Sequence, residues 1–434
     1  MSHFSDRSHQ ANPPGYALVD VTFYREQRLS EIELLLPATS QTKTLIKKMK
    51  DDAVQAQMMQ QFEAMKSDEE PVIAFSARKK PSKNSDDIDP VADRDEMHTR
   101  AQEDEISLSQ THRKVYQWDA PLSLIENNIT PDNDIKIRNQ SIFKILRNLG
   151  HMRRIARPAG ELVFDALTVL RQRQPHFSAV VDLIWQHLRL AFAQNKPLHL
   201  PPILLTGEPG VGKTHFTQTL AAALQTPMHC HRFDSATTGS TLTGSERHWG
   251  NTSHGLMFEL LCLGEIINPI IMLDEVDKAC DTSHRNPAAP LHTLLEPISA
   301  SHATDLSVGM TFDASFVTWV AAANDASRIP ASMRSRFIEF FILPPLGQQA
   351  IEVAGYIAES VFLNFNLPGI ERVPKSITKL LAHLTAREQI QMLNRAFASA
   401  FDEKRTCIAL GDLPKQVFDD GTNNDAARLE KLYH

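Results

Sequence analysis

The stretch "PPILLTGEPGVGKTHFTQTLAAALQ", residues 201–225, decides the fold. The apolar stretch "PILLT" reads as a buried strand, and the chain then turns through three glycines into a helix. Phe216, Leu220 and Leu224 share one face of that helix. Between strand and helix lies G-x-x-x-x-G-K-[ST], filled as "GEPGVGKT". The residue types follow from the chemistry of holding phosphate. Gly207, Gly210 and Gly212 let backbone N–H groups close around phosphate oxygens, and the helix N-terminus adds its positive dipole end. Lys213 reaches the outer phosphates, and the Thr214 hydroxyl can ligate Mg²⁺. The candidate cradle is Gly207, Glu208, Pro209, Gly210, Val211, Gly212, Lys213, Thr214 and His215.

Two later strands extend the site. "PIIMLDEVDK", residues 269–278, brings Asp274 to a strand end, where it can hold Mg²⁺ through water. Glu275 beside it is the candidate base that polarises an attacking water. "FVTWVAAAN" ends on Asn324, a neutral amide able to orient that water. "RIPASMRSRFIEF" then supplies Arg328, Arg334 and Arg336 as candidates to stabilise charge on a transferring phosphoryl group.

Working outward, the chain has 434 residues, enough for two or three domains. The boundaries expected are a disordered 1–15, a small N-terminal α/β domain over 16–78 and a flexible charged linker over 79–112. A helical connecting region follows over 113–175, then an α/β nucleotide-binding domain over 176–345, a helical lid over 346–410 and a polar tail over 411–434. "YALVDVTFY" and "IELLLP" read as strands, and residues 42–65 as a methionine-rich helix suited to packing. "HFSAVVDLIWQHLRLAF" is an amphipathic helix through Phe177, Val180, Val181, Ile184, Trp185, Leu188 and Phe192. Short apolar strands alternating with helices after residue 200 imply a parallel sheet covered on both faces.

The formal net charge of −7 argues against a broad nucleic-acid footprint. The local cluster Arg147, Arg153, Arg154 and Arg157 fits a solvated helix face or an interdomain contact better than a nucleic-acid patch. Four cysteines without paired spacing read as cytosolic usage. No signal-peptide core and no run near the roughly 20 apolar residues of a membrane span is present, so a cytoplasmic protein with no membrane partner is expected. His229 and His231 flank Cys230 on a strand, with no second ligand pair nearby; packing explains them better than metal.

Over about 175–405 these elements, in this order, resemble an AAA+ ATPase module, and more narrowly the ATPase part of Lon-type proteases. The family's phosphate loop is commonly G-P-P-G-V-G-K-T; Glu208 stands here for one proline. "LDEVDK" matches L-D-E-[IV]-D-K, "NPAAPLHTLLEP" resembles D-P-x-A-A-L-L-E-x-L-D-P, and "IPASMRSRF" is similar to I-P-x-x-L-x-D-R-M. The resemblance implies an AAA+ P-loop domain followed by a small helical lid, with ATP and Mg²⁺ as cofactors. It makes Arg336 the arginine finger completing a neighbour's site, and Asn324 the sensor-1 residue. It also implies a homo-oligomeric ring, a hexamer, acting on a protein substrate.

"GSERHWGNTSHG", residues 244–255, is similar to the family segment G-H-R-R-T-Y-[VI]-G-x-M-P-G, whose aromatic grips polypeptide in a central pore. Trp249 matches that aromatic. The family's V-R-x-L-E-R pattern reads "IQMLNR" here, placing Gln391 where a sensor-2 arginine is usual; Arg387 and Arg395 lie one helical turn to either side. The peptidase domain that follows in Lon has no counterpart, so no peptidase activity is expected unless a separate chain supplies it. Two functions fit these features: an ATPase that remodels or threads protein, and a nucleotide-gated scaffold that recruits a partner or nucleic acid with slow hydrolysis as a timer.

Overall fold

The computed structural model describes residues 16–25, 28–37, 90–126, 133–158, 160, 162–233, 238–245, 252–279, 286–365 and 369–414. The chain divides into two compact units, Met1–Asp86 and Asp87–His434. In the first, β1 (Tyr16–Arg25) and β2 (Arg28–Pro37) form an antiparallel pair running from Tyr16↔Pro37 to Arg25↔Arg28. The two expected strands lie in this pair, whereas the expected helix at 42–65 lies outside the described residues.

The second unit begins with a helix where the sequence suggested a flexible linker. The charged stretch expected to be flexible is helix α1 (Pro90–Leu108), which leads into the short strand β3 (His112–Lys114). Its charge count hid a stripe, Asp93, Met97 and Ala101, that is buried at four-residue spacing. The stripe faces α2 (Asn133–Leu149), where Arg147 pairs with Asp93 at 2.8 Å. Arg100 caps the end of α2 by donating to the carbonyls of Arg147 and Asn148, both at 2.9 Å. β4 (Met152–Arg154) then pairs antiparallel with β3.

Much of the arginine cluster is thus engaged by the chain itself. Arg153 is 2 % exposed and donates to the carbonyls of Gly150 and Cys262, while Arg157 donates to the Gln110 carbonyl. Arg154 stays exposed. Guanidinium groups held this way leave little of a continuous basic surface.

After α3 (Leu162–Arg173) and α4 (Ser178–Ala193) come β5 (Ile203–Thr206), α5 (Lys213–Ala223), β6 (Met228–Arg232) and β7 (Ile270–Asp274). The antiparallel pair β8 (Ala303–Asp305) and β9 (Met310–Phe312) precedes β10 (Thr318–Ala323) and β11 (Ile338–Phe341). A five-stranded parallel sheet has the order β11-β5-β10-β7-β6. β5 and β10 are buried at every position, as strands covered on both faces must be.

Side-chain alternation splits the core. Ile203, Leu205, Ile270 and Val320 pack against Phe177, Ile184, Phe216 and Leu220 on one face. Leu204, Leu273, Ala321 and Ala323 belong with Phe143, Leu146, Phe258 and Phe312 on the other. In α4, Val180, Val181, Ile184 and Leu188 are buried as expected, but Phe192 at its end is 43 % exposed.

A third cluster holds the C-terminal helices α6 (Gly347–Phe365), α7 (Lys375–Leu381) and α8 (Ala386–Asp402) around Phe397 and Leu393. Helix α8 starts with a capping box, Thr385 and Glu388 satisfying each other's backbone N–H. No helix among the described residues is long and apolar enough to cross a membrane.

Candidate active site

The sheet order places β10 between β5 and β7, so the loops leaving three adjacent strands open at one crevice. In open parallel sheets that carboxyl edge is where ligands sit. The loop after β5 turns at once because Gly207 packs directly on the backbone of Ile342, where a Cβ would lie 2.4 Å from the carbonyl oxygen. Gly212 has φ +102°, a conformation costly for any residue with a side chain, and it is the N-cap of α5. Lys213 and Thr214 therefore stand in the first turn, with the N–H groups and positive dipole end of α5 facing the crevice.

Lys213 is 8 % exposed, and its ammonium donates to three oxygens: Gly207 O at 2.7 Å, Glu208 O at 3.1 Å and Asn324 Oδ1 at 3.0 Å. Burial pulls the ammonium below its ordinary lysine value, while Asp274, Asp277 and Glu275 oppose that shift. The Thr214 hydroxyl donates to Asp274 Oδ2 at 3.4 Å. A hydroxyl and a carboxylate meeting beside a lysine are a fitting set for Mg²⁺ and the outer phosphates. His215, one residue further along α5, is exposed.

Glu275 follows β7 with φ +57°, unusual for a residue with a side chain, and its carboxylate meets Lys278 at 2.6 Å. Such strain, on the order of 1–3 kcal/mol, collects at functional positions. Asp277 belongs to the same motif, but no spacing or strand end singled it out. It is 4 % exposed, and its Oδ2 accepts the backbone N–H groups of Asn324 at 3.3 Å and Asp325 at 3.2 Å. It therefore fixes the turn that aims the Asn324 side chain.

A pocket missed in the sequence lies beside the phosphate loop, lined by His176, Glu208, Val211, Pro344, Thr385 and Gln389 among others. The His176 ring approaches the Val211 carbonyl through Nε2 at 3.2 Å. Burial lowers its pKa, favouring the neutral ring. Nε2 must then carry the proton to bond a carbonyl, leaving Nδ1 as an acceptor; Nδ1 is buried and unpartnered. Gln389 donates from Nε2 to Leu384 O at 2.8 Å, while its buried Oε1 is also unpartnered. Two orphaned acceptors thus belong to residues lining one pocket. No spacing rule joins residues so distant in the chain, although a glutamine on the buried stripe of a helix was a usable signal.

The candidate arginines after β10 are held in ion pairs. Arg336 pairs with Glu296 at 3.0 Å and donates to Ser332 O, while Arg334 pairs with Glu339 at 2.6 Å and Arg328 with Asp325 at 3.6 Å. Gln391, Arg387 and Arg395 are all exposed on α8, with Gln389 on the buried side. Trp249 lies outside the described residues.

Residues 203–345 match the family model described as ATPase family associated with various cellular activities (AAA). The chain is similar to the peroxisomal Lon protease homolog 2 of Pichia angusta, with 28% identity over 235 residues, 51% of this chain and 24% of that protein. It is similar to Lon protease 1 of Syntrophotalea carbinolica, with 31% identity over 157 residues, 36% of this chain and 18% of that protein. The matches thus span a quarter or less of these relatives' own length. Among solved structures, the RuvB Holliday junction branch migration motor of Thermotoga maritima is similar at 18% identity and TM-score 0.36, covering 54% of this chain and 66% of that one. The chain carries an AAA ATPase domain over 203–345, and Lon-type proteins are among its relatives.

Proposed function

We propose that this chain is a Mg²⁺-dependent ATPase that works in a ring of copies, a hexamer, to remodel or thread a protein substrate. The observation that carries the ATPase part is the meeting of Lys213, Thr214, Asp274 and Asn324 at the ends of three neighbouring strands. Lys213 and the N–H groups opening α5 hold the outer phosphates; Thr214 and Asp274 hold the metal. When bound, Mg²⁺ neutralises charge on the transferring phosphoryl group. Glu275 accepts a proton from the attacking water, and Asn324, aimed by Asp277, orients that water. Arg336 is assigned to a neighbouring copy's nucleotide, on its match to the family's finger position.

Adenine is the base favoured by the adjoining pocket, because two acceptors match an exocyclic amino group and oppose a 6-oxo group. Trp249 is assigned to grip polypeptide, on its match to the Lon-type segment. A reducing, cytoplasmic setting suits the free thiols of Cys230, Cys262 and Cys407.

A second reading, a slow nucleotide-gated scaffold, is favoured by the Glu275–Lys278 ion pair, which holds the base in a contact it must leave to act. Turnover of the wild type and Trp249→Ala, with and without casein, separates the two. Threading predicts stimulation by casein that Trp249→Ala loses while keeping basal turnover; equal, unstimulated rates favour the scaffold.

A further inference from the structure

Gly244 and Gly255 enclose the Trp249 segment, and the packing around each explains why it is a glycine. Ser245 N donates to Ser253 O at 3.2 Å, and Ser253 N donates to Ser245 Oγ at 3.1 Å, closing a narrow stem. A Cβ on Gly255 would lie 2.3 Å from Gly244 N, and one on Gly244 would lie 2.6 Å from the Asp305 carboxylate. Any side chain at either position would force stem and carboxylate apart.

Asp305, at the end of β8, is 0% exposed. Its Oδ2 accepts the Gly255 N–H at 2.7 Å, and its Oδ1 accepts Ser307 N at 3.0 Å and Val308 N at 2.9 Å. Leu306 N donates to Thr243 O at 2.8 Å, tying the same turn to the same stem. Arg138 closes the junction from α2. Its Nη1 donates to Thr252 O at 2.7 Å, Thr252 Oγ1 at 2.8 Å and Ser307 Oγ at 3.1 Å, and its Nη2 donates to Ser307 O at 3.2 Å. A planar guanidinium making four contacts to two backbone segments fixes their separation and their relative angle.

The turn held this way is continuous with the active site. β9 leaves it carrying Phe312, which packs edge-on to Phe258 at 6.2 Å just beyond Gly255. The chain then enters β10, whose end leads directly to Asn324.

We propose that Arg138 and Asp305 are positioning residues that make the stem formed by residues 244–245 and 252–255, and the 305–309 turn, respond to nucleotide as one body. A displacement of Asn324 and β10 then reaches the stem through the hairpin. This coupling rests on the nucleotide reading above. Without the clamp, the site can cycle while the stem ignores it.

The test is hydrogen exchange of the full chain with Mg·AMP-PNP against Mg·ADP, in wild type, Arg138→Ala, Arg138→Lys and Thr252→Val. In wild type, peptides covering 207–214, 303–312 and the stem should change protection together, the stem by about fivefold or more, the low end of measured coupling between sites. Arg138→Ala should keep the first two responses and basal turnover but lose the stem response. Arg138→Lys should restore part of it, and Thr252→Val should weaken it without changing the melting temperature. A wild-type stem that is silent while 207–214 responds would overturn the clamp, as would a stem that responds equally in Arg138→Ala. If 207–214 is silent in wild type, the nucleotide reading itself falls and takes the clamp with it.

Discussion

The Lys213 ammonium lies 3.0 Å from the Asn324 side-chain oxygen, so a hydrogen bond joins the first turn of the helix after β5 to the residue that follows the neighbouring strand β10. In the proposed cycle, phosphate draws the lysine outward and frees the amide for water. Asn324→Ala is therefore expected to bind ATP within a few-fold of wild type while kcat falls about 10²-fold, the scale of a misplaced reactant. An unchanged kcat would remove Asn324 from the mechanism.

Asp277 carries the next prediction. Its removal leaves the N–H groups of Asn324 and Asp325 without their acceptor. Asp277→Ala should lower unfolding free energy by about 1–3 kcal/mol in urea titration, and kcat should fall alongside. Loss of stability with kcat intact would make Asp277 purely structural.

Gly207 tests the phosphate loop from its other side. A Cβ there meets the Ile342 carbonyl at 2.4 Å, against backbone that cannot rotate away. Gly207→Ala should cost about 1–3 kcal/mol of stability and weaken ATP binding, since the loop must lift off Ile342, the residue that follows β11. Wild-type melting and affinity would show that the loop has slack.

Base selection follows from His176 and Gln389. Wild type should bind ATP at least about tenfold tighter than ITP, with Gln389→Leu and His176→Phe each narrowing the ratio. Because burial lowers the His176 pKa, Nδ1 is already an acceptor near neutrality. The ratio should stay level from about pH 8 down to the ordinary histidine value near 6.5 and shrink only at lower pH, as the ring gains its second proton. A ratio of one, or a ratio that rises on acidification, would contradict the assignment.

The legible parts of this site were local ones. The phosphate loop is a strand, a turn and a helix written in consecutive residues, and Asn324 is reached by following apolar strands to their polar ends. Charge misled at 90–108, where acids and arginines outnumber the buried Asp93, Met97 and Ala101 and conceal a packed helix. The His176–Gln389 pocket was illegible for a different reason. Two of its lining residues, His176 and Gln389, come from a turn before α4 and from helix α8, and only the folded chain brings them beside one loop. Arg138, Asp305 and Thr252 likewise belong to three segments with no shared pattern.

ATP binding and ATP turnover, measured together in wild type, Lys213→Ala and Glu275→Gln, decide whether this chain is an ATPase built on these residues. Wild type should hydrolyse ATP, and Lys213→Ala should fail to bind it. Glu275→Gln should bind with near wild-type affinity while turnover drops at least about 10²-fold, the contribution of a general base. Glu275→Gln turning over at the wild-type rate, or Lys213→Ala binding as wild type does, would contradict the assignment.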